Sequence, residues 1–308
     1  MTDTNQQGRG VPVAMRLLFG AAEPAVATTF LHDLNAATDE SFVFAAGEAS
    51  DDRFTLQGEA HHVVVERVDA PVDAEAFASA LAHPFLPAVF PAAQPIVTGH
   101  RAHARIVVSG GEARDGDPAA VDATEIEMAD FEPERMLPRL RLLRAAGAAY
   151  ARQHFPLAVH WCQCDNLLAG PDFVQMAERE AETELFVKPV PFSEGDGAFG
   201  AVTWGASNLI GREVELAEAP MPAAWAADRL LQFVEQARTK PPAAGAALRF
   251  PDDEILLVHE VERCETFPGG RLRLTVEKLP GGAAEAPAPA IGFLADAEAR
   301  AGRAFGRR

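Results

Sequence analysis

The chain has 308 residues, of which 48% are hydrophobic and 23% charged, a balance suited to one large or two ordinary soluble domains. Its net charge of −18 repels phosphate backbones and argues against nucleic-acid binding; the one weakly basic stretch, Arg135–Arg144, reads as the solvent face of a helix. No run reaches the apolar length of a bilayer span, and three cysteines without framework spacing argue for a cytoplasmic protein with reduced thiols rather than a disulfide-stapled secreted one.

The opening residues 1–12, MTDTNQQGRGVP, are polar and lack the apolar core of a signal peptide; they are expected to form a disordered tail. VAMRLLFG at Val13–Gly20 reads as a strand. The helix that follows places Val26, Phe30, Leu31 and Leu34 at helical spacing. Phe42–Ala49 and His61–Val72 read as strands. DAEAFASALAHP opens on Asp73, a plausible N-cap, and stops before Pro84. A proline-rich connection, Pro84–Pro95, leads to the strand HRAHARIVVSGG. The order βαββαβ predicts a split βαβ, or ferredoxin-like, arrangement.

An acidic, irregular segment comes next. PRLRLLRAAGAAYARQHF then reads as a long helix and LAVHWCQC as a strand. PDFVQMAEREAETEL reads as a helix. LFVKPVPF carries Pro189 and Pro191 and so belongs at a sheet edge. AFGAVTWGASNLIG and REVELAEAP are two more strands. In the helix PAAWAADRLLQFVEQART, Ala226, Leu230, Phe233 and Ala237 form the apolar stripe. EILLVHEVERCETF and RLRLTVEKL flank Pro268-Gly269-Gly270 as a hairpin.

These elements predict an α+β protein of two ferredoxin-like, βαββαβ-type halves, with mainly antiparallel sheets covered by helices. Residues 13–111 form the first half, 112–134 the connection and 135–280 the second. Residues 281–308 form a flexible Ala/Pro/Gly linker and a short C-terminal segment.

Gly195–Gly200 spells G-x-G-x-x-G. A dinucleotide site needs those glycines between a strand and a helix, whereas a strand-like run follows here, so a hairpin turn is expected. Ser207 lacks the final glycine and the helix of a nucleophile elbow. Asp115-Gly-Asp117 lacks the ligand spacing of a calcium loop. His100 and His103 bracket the start of a strand and could converge if His100 lies in the preceding turn.

VHWCQCD at Val159–Asp165 alternates His160, Cys162 and Cys164, which share one face of a regular strand. Positions two apart lie roughly 6.6 Å from each other, too far for a disulfide. Two of the three could supply half of a zinc site, with Cys264, His259 or His100 completing it. Buried packing as small hydrophobes is the stronger reading for the cysteines. No cofactor is expected.

VVVERVDAPVDAEAF, GHRAHARIVVSGG, FVKPVPF, TWGASNLIGREVELAEAPMP and GGRLRLTVEKL together resemble the bacterial domain-of-unknown-function family numbered 4261, across roughly Arg16–Leu279. The more specific part is the turn at Gly205, the pair Leu209-Ile210 and the strand with Glu213 and Glu215. The resemblance implies no activity.

The expected function is therefore a non-enzymatic cytoplasmic binding or adaptor protein with a protein partner, basic in charge, accessory to a secretion, defence or toxin-neutralising system. Neither nucleic acid nor membrane is an expected partner. The alternative is an enzyme with a site between the halves. Its candidates are His100, His103, Trp204, Asn208 and Glu213, with His160 and Cys162 as metal ligands.

Overall fold

The computed structural model describes residues 13–21, 27–45, 50, 52–110, 133–179, 182–195, 197–250, 253–261 and 270–279. The expected tail 1–12, nearly all of the connection 112–134, the segment 281–308 and Cys264 lie outside the described residues. The protein is α+β with two mostly antiparallel sheets, in two compact units: residues 1–82 with 92–182, and residues 83–91 with 183–308.

The first unit carries β1 (Val13–Phe19), α1 (Ala27–Ala37), β2 (Val43–Phe44), β3 (Arg53–Gln57) and β4 (His61–Val68). A 3-10 turn (Ala74–Phe77) runs into α2 (Ala78–Leu81). The α3 helix (Leu86–Val89) belongs to the second unit, and the first resumes with α4 (Ala93–Gly99) and β5 (Ala102–Gly110). It ends with α5 (Pro133–His154), β6 (Ala158–Trp161), β7 (Asn166–Ala169) and α6 (Gly170–Glu178). Asp73 caps the 3-10 turn as expected, its Oδ1 accepting from the Glu75 N–H at 3.0 Å. The proline-rich connection instead holds α3 and the start of α4, because proline is compatible with a first helical turn.

Its seven-stranded sheet has the order β2-β3-β4-β5-β1-β6-β7, and every pairing is antiparallel. This differs from the ferredoxin-like order, in which the first strand sits between the third and fourth strands of the βαββαβ unit. Here β1 sits between β5 and β6, and β4 pairs with β5. The expected boundary shifts too. Residues 135–179, placed in a second half from the sequence, belong to the first unit, because β6 hydrogen-bonds to β1.

The α5 helix crosses one face of this sheet at very short range. A Cβ on Gly147 would stand 2.4 Å from Met15 Sδ, so any larger residue there would have to push the Met15 side chain aside. Edge-on rings continue that core, with Phe30 5.6 Å from Phe54 and 5.9 Å from Tyr150. Gly170 is still tighter: its Cβ would lie 1.8 Å from the Pro156 carbonyl oxygen. By strand alternation, Arg16, Arg105 and His160 point to the opposite face.

The second unit contains all but the first residue of α7 (Glu182–Phe186), then β8 (Lys188–Gly195), β9 (Ala198–Trp204), α8 (Ser207–Ile210), β10 (Glu213–Ala219), α9 (Ala223–Thr239), β11 (Ala247–Arg249), β12 (Ile255–Val261) and β13 (Arg271–Lys278). The sheet order is β11-β12-β13-β10-β9-β8, with β10 and β13 parallel. The proline-bearing β8 lies at the edge, as its missing N–H donors require. The G-x-G-x-x-G stretch forms the β8–β9 turn, with Gly195 at φ 130° and Gly197 at φ 74°. The strand expected through Gly211 stops at Trp204, and α8 follows.

Candidate functional site

His100 and His103 come together around one loop. His100 Nε2 accepts from the Val72 N–H at 2.8 Å, and its Nδ1 donates to the Val97 carbonyl at 2.6 Å. His103 Nδ1 donates to the Ala70 carbonyl at 2.9 Å. Burial lowers the His103 pKa; the Ala70 bond opposes this, and Arg16 and His100 add to it. The two rings thus pin the loop after β4, and both nitrogens of His100 are taken by backbone. The recess beside His103, lined by Phe19, Asp52, Arg67, Asp69 and His154, has room for one or two waters, about 20 Å³.

Trp204, Asn208 and Glu213 also share one turn, in the second unit. Gly205 at φ 98° lets the chain bend so that three successive N–H groups face inward. Glu213 accepts from the N–H groups of Gly205 (2.9 Å), Ala206 (3.2 Å) and Ser207 (3.2 Å), and from the hydroxyls of Thr203 (2.6 Å) and Ser207 (2.7 Å). This carboxylate is an internal anchor. Asn208 is buried, and its Oδ1 has no hydrogen-bond partner among the described residues. Trp204 is half exposed.

The VHWCQCD stretch departs from expectation. Its strand ends at Trp161, and residues 162–165 turn back into β7. His160, Cys162 and Cys164 are therefore not three positions on one strand face. Asp165 adopts φ 53°, which places its Oδ1 2.7 Å from His160 Nε2. Cys162 Sγ lies 3.8 Å from His160 Nδ1. Cys164 is buried and Cys162 half-buried. Phe77 packs against the His160 ring at a steep angle, centroids 5.1 Å apart. Arg16 Nη1 is 3.5 Å from Nδ1.

A charged row leads to this turn. Arg53 on β3, Glu66 on β4, Arg105 on β5, Arg16 on β1 and His160 on β6 stand in register, neighbour beside neighbour. Burial of the His160 ring disfavours its cation, but the Cys162 charge and the Asp165 hydrogen bond outweigh this and raise its pKa to about 9. Burial likewise opposes ionisation of Cys162; His160, then Arg16 and Arg105, overcome it and lower the thiol pKa. Asp165 was missed as a candidate. The Asp-Asn pair at 165–166, a turn-forming sequence, was the available signal. Among the described residues no group of three or more His, Cys, Asp and Glu side chains is arranged to hold a metal ion.

A different surface feature lies at the α5–β6 corner. Phe155 is 79% exposed and Leu157 42% exposed. Phe155 also sits at φ 49°, a left-handed conformation that costs a non-glycine residue about 1 kcal/mol. Backbone bonds hold the corner: the N–H groups of Phe155, Leu157 and Gly170 donate to the carbonyls of Ala151, Leu18 and Leu157 at 2.9, 2.8 and 3.2 Å.

No protein-family model, curated protein or solved structure matches the chain. Among the described residues no helix is long and apolar enough to cross a membrane.

Proposed function

We propose that this is a non-enzymatic binding or adaptor protein that docks a basic protein partner, with the Phe155–Leu157 corner as its anchor. One observation carries the reading: an aromatic side chain stands out to solvent on strained backbone, at a corner tied by backbone hydrogen bonds. Stability alone does not favour that arrangement, whereas rigid exposed aromatics are the usual energetic centres of interfaces. The acidic balance of the chain, net −18, would speed encounter with a basic surface and reject acidic ones. The resemblance to the family numbered 4261 belongs to the same proposal and brings no activity with it.

The test pairs binding with stability. Immobilised full-length protein should capture a basic partner saturably. With that partner purified, Phe155→Gly and Leu157→Ser should weaken Kd about ten-fold or more, roughly 1.4 kcal/mol. Phe155→Gly should leave Tm unchanged or raise it, since glycine adopts a positive φ without steric cost. A monomeric chain that captures no saturable partner would overturn the reading, as would a partner indifferent to both substitutions.

A further inference from the structure

Three features of the turn after β6 act together. The carboxylate of Asp165 holds one nitrogen of His160, at 2.7 Å, and the other nitrogen faces Cys162 Sγ at 3.8 Å. The ring is fixed from the side by Phe77. This is the arrangement that activates a thiol: a base within reach of the nucleophile, oriented by a third group. Strand register adds cations, with Arg16 beside His160 and Arg105 beside Arg16. Cys162 is half-buried, whereas Cys164 is buried. Of the two, Cys162 is thus the candidate for a small reagent.

We propose that Cys162 is a modification site, a nucleophilic thiolate held by His160 and Asp165 that small hydroperoxides oxidise to the sulfenic acid. The Cys162 thiolate attacks the nearer peroxide oxygen, and an S–O bond forms as the O–O bond breaks. The departing hydroxide or alkoxide takes the proton from His160 Nδ1 and leaves as water or alcohol. Sulfur is oxidised by two electrons and the peroxide reduced by two. Asp165 keeps the imidazole turned toward sulfur, which makes it a positioning residue. The groups facing the thiol and imidazole are Arg16 from β1, Arg105 from β5, Asp165 from the turn and the apolar ring of Phe77, which also packs on His100. The balance of charge on the pair is thus cationic.

The experiment uses the full chain. Hydrogen peroxide is added at neutral pH, sulfenic acid is trapped with dimedone, and the labelled cysteine is located by mass spectrometry. Label is expected on Cys162, retained in the Cys164→Ser, Cys264→Ser double variant and lost in Cys162→Ser. Iodoacetamide alkylation followed against pH should show a midpoint well below that of a free thiol, about 8.5. Asp165→Asn keeps the shape of the turn, and both His160→Ala and Asp165→Asn should slow oxidation at least about ten-fold and move the alkylation midpoint upward. The wild-type pH profile needs no variant to fold, so it tests the idea by itself. A free-thiol midpoint in the wild type, or label on Cys164 or Cys264 instead, would overturn the proposal.

Discussion

Arg229 and Glu254 are both buried, Glu254 completely. Arg229 Nε donates to Glu254 Oε2 at 2.8 Å and Oε1 at 3.0 Å, while its Nη1 donates to Asp228 Oδ2 at 2.7 Å. The guanidinium also lies 5.8 Å from the Trp225 ring centroid and 5.6 Å from that of Phe250. Removing both charges from water is expensive, so the pair adds little net stability over an apolar replacement. Breaking it is another matter, since Arg229 then stays buried with Asp228 as its remaining carboxylate. Glu254→Ala should therefore cost roughly 3 kcal/mol, whereas the triple change Asp228→Asn, Arg229→Met, Glu254→Leu, which leaves no charge of the cluster buried, should cost much less. Urea unfolding midpoints of the three proteins check this, and equal losses in the single and triple variants would refute it.

At the scale of elements, Glu40 joins the end of α1 to the β3–β4 hairpin. Its Oε1 accepts from the N–H groups of Ala60 (2.5 Å) and His61 (3.0 Å), and Oε2 lies 2.7 Å from His61 Nδ1. Partial burial alone would raise its pKa; the bonds from His61 and Ala60 outweigh that and lower it below the ordinary 4.5. A carboxyl with a depressed folded pKa contributes stability that is present above the unfolded value and lost as pH falls through the folded one. The stability gap between wild type and Glu40→Gln should thus be constant above about pH 5 and shrink steadily below 4.5. Denaturant midpoints across that range decide it; a gap that stays constant to pH 3 would remove the role. Elements of this kind differ in how well the chain announces them. The edge position of β8 was legible because Pro189 and Pro191 lack donors. The four-residue β7 was missed because so short a run carries no periodicity. The pairing of β6 with β1 is long-range, so nothing local announces that residues 158–161 complete the first sheet. At the turn, the alternation of His160, Cys162 and Cys164 imitated a strand, and no glycine or proline marked the bend. The chemistry-bearing types were visible there; that Asp165 would close on His160 was visible only once the turn was.

The whole molecule carries 45 acidic and 27 basic residues, hence its net −18. Like charges at that excess repel one another in the compact state, and salt relieves the repulsion. The Debye length falls from about 30 Å at 0.01 M to about 8 Å at 0.15 M. Exposed charges then cease to feel distant ones, while a buried pair such as Arg229–Glu254 is screened far less. Raising salt across this interval should therefore raise Tm. The same screening removes the long-range attraction of a basic partner, so its association rate should fall as Tm climbs. Apolar adhesion at Phe155 and Leu157 without charge complementarity would behave differently, because salt does not weaken burial of apolar surface. Thermal melts and association kinetics measured in the same buffers separate the two cases. Opposite slopes identify electrostatic steering toward an apolar anchor, and a partner whose association rate holds or rises with salt would remove charge from the account of recognition.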